Sequence, residues 1–221
     1  MQTRRLVFAA MLPALLTAAG DTDASLVESC WLTLTRIPPA SVPDRFARAV
    51  RKLWQGYRPD QRQRMLNILS GYPTRLGACV VLELLEPTLP QITQGSMLWA
   101  LQRAADLLPL DDVRFQQCLL ESLADILKWP DTDPDVALRA MSLATQVLRL
   151  PGFPMAASRP KGPALLLAVQ RWSDWDDPRL VNATRWLQRA LADRGTAAGH
   201  TPHRGGPRTA ARDRGRPDRE T

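Results

Sequence analysis

From Leu6 to about Ala192 the apolar residues recur at spacings of three and four, in runs cut by Pro, Gly and Asp. That period places side chains along one face of an α-helix. Leu26, Val27, Cys30, Trp31, Leu34 and Ile37 predict a helix over 24–36, ended by Pro38-Pro39. Pro43 and Asp44 open another, with Phe46, Ala49, Val50, Leu53 and Trp54 on one face and Gly56 closing it. Pro59 suits the first turn of the next, where a missing N–H costs nothing, and that helix runs through Met65, Ile68 and Leu69 to Gly71. Further helices are expected over 74–86, 95–108, 112–128 and 135–149. Alternation with period two is sustained nowhere. The most strand-like run, Cys79-Val80-Val81-Leu82, continues into Glu83-Leu84-Leu85-Glu86, and no Asn-Gly or Asp-Gly hairpin dipeptide occurs. The expected class is all-α.

Two stretches break the rhythm. Residues 150–163 hold four Pro and two Gly and read as a Pro-rich loop. Residues 194–221 carry seven Arg against three acidic residues, both His of the chain and no large apolar side chain. Such a tail has nothing to bury and is expected to be disordered. The domain plan is therefore a helical body over 1–193 and a tail over 194–221.

The start of the chain supports two readings. Met1-Gln2-Thr3-Arg4-Arg5 is basic, Leu6 to Leu16 is almost unbroken apolar, and Thr17-Ala18-Ala19-Gly20 supplies small residues. This is the order of a secretory signal peptide, too short to span a bilayer. The same residues also make a first core helix. The downstream residues favour this second reading: without Pro13 to Leu16, the 24–36 helix would lack a packing partner. The expectation is a retained helix and a cytoplasmic protein. The alternative is a secreted or periplasmic chain cleaved near residue 20. No run approaches the ~18 apolar residues of a transmembrane helix.

A local pattern recurs. Leu12-Pro13-Ala14-Leu15-Leu16 leads through Gly20-Asp21-Thr22-Asp23 to Leu26-Val27. Gly162-Pro163-Ala164-Leu165-Leu166-Leu167 leads through Asp174-Trp175-Asp176-Asp177-Pro178 to Leu180-Val181. Asp111-Asp112-Val113-Arg114 and Asp131-Thr132-Asp133-Pro134-Asp135-Val136 make the same acidic turn into a helix. An Asp there accepts bonds from the free amides of the next helix and suits its positive end. The unit resembles the HEAT and armadillo type of helical repeat over about half of the chain, at an irregular period. The resemblance implies stacked antiparallel helical hairpins, a HEAT-like α-solenoid, acting as a scaffold.

Composition narrows the chemistry. The chain has 221 residues and a formal charge of +7, with 29 Lys and Arg, of which only Lys52, Lys128 and Lys161 are Lys. His200 and His203 lie in the tail, so the body has no imidazole for a Ser-His-Asp or Cys-His relay, a His-ligated zinc or a proton shuttle. Cys30, Cys79 and Cys118 are far apart, form no CxxC pair and read as buried small hydrophobes. Asp131, Asp133 and Asp135 resemble the start of a calcium loop, but Val136 and Ser142 stand where Gly and Glu are required. No phosphate loop, dinucleotide loop or nucleophile elbow is present. The expectation is a protein that is not an enzyme and uses no cofactor and no metal.

Binding candidates remain. Arg45, Arg48, Arg51, Lys52, Arg58 and Arg62 form a basic stretch, with Arg45, Arg48 and Lys52 on one helix face. It suggests a groove for an acidic protein partner or for phosphates, against the alternative of a solvated face partly neutralised by Asp44 and Asp60. Trp172 and Trp186 fall in the apolar pattern and are expected in the core. Trp175, in the acidic turn, is the candidate interface anchor. The Arg-rich tail makes nucleic acid a less favoured partner. Glu83/Glu86 and Glu121/Asp125 read as surface charges. The functional expectation is a non-catalytic protein-interaction or scaffold module.

Overall fold

Short polar side chains open five of the described helices, four of them at the acidic turns. Asp23 accepts from the amides of Ser25 (2.9 Å) and Leu26 (3.4 Å), and Asp112 from Arg114 (2.9 Å) and Phe115 (3.2 Å). Asp133 accepts from Asp135 (2.8 Å) and Val136 (3.4 Å), Asp177 from Arg179 (2.8 Å), and Thr74 from Gly77 (3.0 Å). Each bond satisfies an amide that has no partner inside its own helix. Pro134 and Pro178 follow their caps directly, at the first helical position.

The structure is a computed structural model and describes residues 11, 13–21, 23–37, 45–108, 112–150 and 162–197. Helices follow one another as α1 (13–19), α2 (Ala24–Thr35), α3 (Arg45–Gly56), α4 (Pro59–Gly71), α5 (Arg75–Leu84), α6 (Gln91–Leu107), α7 (Val113–Lys128), α8 (Pro134–Arg149), α9 (Gly162–Gln170) and α10 (Pro178–Ala197). Among the described residues there is no strand. None of the helices there is long and apolar enough to cross a membrane.

Contacts join alternate helices. The even-numbered ones adjoin in order, α2 with α4, α4 with α6, α6 with α8 and α8 with α10. Among the odd-numbered ones α3 meets α5, α5 meets α7 and α7 meets α9. Cross-contacts tie α5 to α6, α7 to α8 and α9 to α10. One continuous core lies between, from Ala19, Trp31 and Leu34 through Met65, Met97, Leu101, Leu123 and Met141 to Trp172 and Leu187. Leu15 and Leu16 of α1 pack against it. Gly77 sits where α5 comes close to its neighbours: a Cβ there would lie 3.3 Å from Leu69 Cδ2 and 3.6 Å from Thr35 Cγ2.

Several expectations need correction. The helix expected over 95–108 begins at Gln91; Ile92 is 79% exposed, so its side chain does not extend the apolar stripe backwards. α9 starts at Gly162, within the expected loop, and α10 runs to Ala197, into the expected tail. Trp172 is fully buried, but Trp186 is 52% exposed: it sits one position before the buried Leu187, on the outer flank of the stripe. Cys30 is buried, Cys79 partly so, and Cys118 is exposed. Residues 1–10, most of the loop at 150–163 and the tail from 198 onward lie outside the described residues.

Candidate interaction surfaces

The side chains of the basic stretch lie in different settings. Arg45 opens α3, and its side chain lies outside the described residues. Arg48 and Lys52 point to solvent with no ion pair among the described residues. Arg51 reaches Glu83 of α5 at 2.8 Å, and Arg58 lies 3.5 Å from Asp60, which also faces Arg64 at 3.7 Å. Arg62 turns inward. Its Nε donates to the Trp54 carbonyl at 3.0 Å, one terminal nitrogen donates to Gln55 at 3.3 Å, and the guanidinium lies 5.1 Å from the Trp54 ring centre. Those carbonyls belong to the end of α3, so Arg62 caps that helix and pins it to α4.

Trp175 is 43% exposed, as its place in the acidic turn suggested. Its ring rests on buried Trp172, 5.0 Å between centres at 44°. The indole N–H of Trp172 donates to the Leu127 carbonyl at 3.2 Å. Arg171 lies 4.5 Å over the same ring and donates to the carbonyls of Lys128 (3.2 Å), Trp129 (2.8 Å) and Pro130 (3.2 Å). This cluster fastens α9 to the end of α7.

The acidic residues read as scattered surface charges come together. Glu83, Glu86, Asp112, Glu121 and Asp125 line an open groove between α5 and α7, with Arg51 and Arg114 as its cations and with Cys79 and Cys118. Burial pushes the Cys79 thiol up, and the nearby Asp112 and Cys118 push it the same way. A thiol held protonated is a poor nucleophile. Among the described residues no cluster of His, Cys, Asp and Glu is placed to hold a metal ion.

The even-numbered helices carry a different surface. Between α8 and α10 lies an open groove of about 730 Å³, lined by Leu138, Met141, Leu150 and Ala183 below and by Arg149, Arg179 and Trp186 above. Trp186 has two guanidinium groups near its ring, Arg149 at 5.3 Å and Arg189 at 5.6 Å from the ring centre. Arg179 is held at the other end by Asp177 (2.8 Å) and Asp135 (3.4 Å). A smaller groove between α4 and α6 shows exposed Trp99 beside Arg139 of α8. Sequence reasoning missed these two tryptophans. Each lies at the edge of an apolar stripe, and period alone does not tell an edge from the core.

No protein-family model, curated protein or solved structure matches the chain.

Proposed function

We propose that the chain is a non-catalytic protein-interaction module built as a stack of antiparallel helical hairpins of the HEAT type. The observation that carries this reading is the contact order, in which helices two apart in sequence lie side by side from α2 to α10. A stack of hairpins requires that order. Three of the four acidic turns support it, since they fall inside the hairpins α1–α2, α7–α8 and α9–α10; the fourth, at Asp112, leads from α6 into α7. Such a stack leaves grooves between successive helices, and the described grooves are all open, with aromatic and charged rims. Recognition there needs shape and a few anchors and no reacting group.

The packing of Leu15, Leu16 and Ala19 into the core supports retention of the first twenty residues, and with it the cytoplasmic reading over the secreted one. Photo-crosslinking residues placed one at a time at Arg48, Glu86, Ser142 and Trp175 in the full chain test the function. The expected result is a polypeptide captured from some of these positions and not others. Absence of any light-dependent polypeptide adduct at all four would overturn the reading.

A further inference from the structure

We infer that the groove between α8 and α10 is the docking site for an acidic peptide segment that carries an apolar anchor residue. This rests on the reading of the chain as a protein-interaction module and names the surface and the partner.

The groove joins two features. Its floor is apolar, from Leu138, Met141, Leu150 and Ala183, and its lining holds no carboxylate. Its rim is cationic. Arg149 lines it, and Arg189, outside the lining, lies against Trp186; both are exposed, and neither has a carboxylate partner among the described residues. Arg179 is different, because Asp135 and Asp177 already balance it, and it closes that end of the groove electrostatically. Uncompensated positive charge therefore gathers around Trp186.

An exposed tryptophan with two guanidinium groups at 5.3 and 5.6 Å from its ring centre has lost part of its rotational freedom before any ligand arrives. The ordering cost on binding is correspondingly small. The same guanidinium groups keep unused N–H donors at their outer edges, in the fork geometry that suits a carboxylate. Ser142, Gln146 and Asn182 add polar side chains between rim and floor. Gln146 is anchored by donating to Asp106 of α6 at 2.6 Å, so a carboxylate borders the groove there as Asp135 and Asp177 do beside Arg179.

The apolar floor decides the class of partner. A nucleic-acid backbone would use the arginines and leave Leu138, Met141 and Leu150 unmatched, whereas a peptide can place one aliphatic side chain there and carboxylates on either side. The charge decides the sign: a basic segment would meet Arg149 and Arg189 as repulsion. The acidic groove between α5 and α7 is the surface such a basic segment would meet instead.

Fluorescence anisotropy with the full chain tests this, using a fluorescein-labelled Asp/Glu-rich peptide with one central Leu and the same peptide with Ser in its place. The Leu peptide is expected to bind about tenfold more tightly than the Ser peptide. Arg149→Glu with Arg189→Glu should weaken it about tenfold or more, while Arg48→Glu with Lys52→Glu should leave it unchanged. Trp186→Ala should erase the Leu/Ser difference and Trp186→Phe should keep it. Circular dichroism confirms that each variant is folded, and the arginine pair carries the test should Trp186→Ala unfold. Equal binding of the two peptides, no effect of the arginine pair, or displacement by an oligonucleotide of equal charge would each overturn the inference. A gain in affinity on deleting residues 151–161 or 198–221 would do the same, by showing that the chain fills its own groove. Crosslinks confined to Arg48, Glu86 or Trp175 would leave the interaction reading standing while this site falls.

Discussion

The indole N–H of Trp31 donates to the Tyr57 hydroxyl at 3.1 Å, and that hydroxyl donates onward to the carbonyl of Ala19. One oxygen thus links the helix at the start of the chain, the second helix and the end of α3. All three groups are buried. Burial pushes the Tyr57 phenol up, against the opposing effect of the Trp31 bond, so it stays protonated and able to donate. Tyr57→Phe leaves a buried donor and a buried acceptor unmatched and is expected to cost about 1–3 kcal/mol. Urea unfolding followed by tryptophan fluorescence measures it.

The same link makes the first twenty residues testable. Their deletion removes Leu15, Leu16 and Ala19 from the core and should lower the melting temperature by more than Tyr57→Phe does. Combining the two changes should cost less than their sum, because both break one contact set. The intact mass of the expressed chain should show residues 1–20 still present.

Arg62 and the pair Arg48/Lys52 should part company. Arg62→Ala removes its bonds to the Trp54 and Gln55 carbonyls, the first of which keeps the Tyr57 amide, and uncovers the Trp54 face, at a cost of about 1–2 kcal/mol. Arg48→Glu with Lys52→Glu touches no structural bond among the described residues and should move stability by about 0.5 kcal/mol or less. Thermal melts of the two variants side by side decide the matter. Equal destabilisation would show the basic stretch to be one structural unit.

The helix caps predict the acid limb of stability. Asp23 is held below its ordinary value of 3.8 by the bond from the Ser25 hydroxyl and then by the Ser25 and Leu26 amides. Asp177 is held below the same value by its bonds from the Arg179 side chain and amide. A depressed folded-state pKa gives stability that is complete above the unfolded value and lost as pH falls through the folded one. The loss from these two caps therefore lies below pH 3.8. Asp23→Asn with Asp177→Asn keeps a capping oxygen and removes the titration. That variant should show a flatter stability profile below this pH and no extra loss between pH 5 and 7.

The helix pattern was legible because its determinants are local. Asp23, Asp112, Asp133 and Asp177 cap where the acidic turns placed them, and Pro59, Pro134 and Pro178 open helices as their missing N–H allows. The surfaces were not, because they depend on which helices meet. Glu83 and Asp125 are 42 positions apart and share a groove only once α5 lies against α7. Arg62 reads as one more surface cation until the end of α3 is seen to lie within its reach. Trp186 comes close to the spacing of a core residue, yet it is exposed, and the arginines at 149 and 189 that lie near its ring come from two different helices.

Among the described residues α10 is held by its contacts with α8 and α9, which act as bolts across the seam. Anything seated across α8 and α10 would act as one more bolt, so occupancy could be read as slowed amide exchange along α10 while the start of the chain stays as it was.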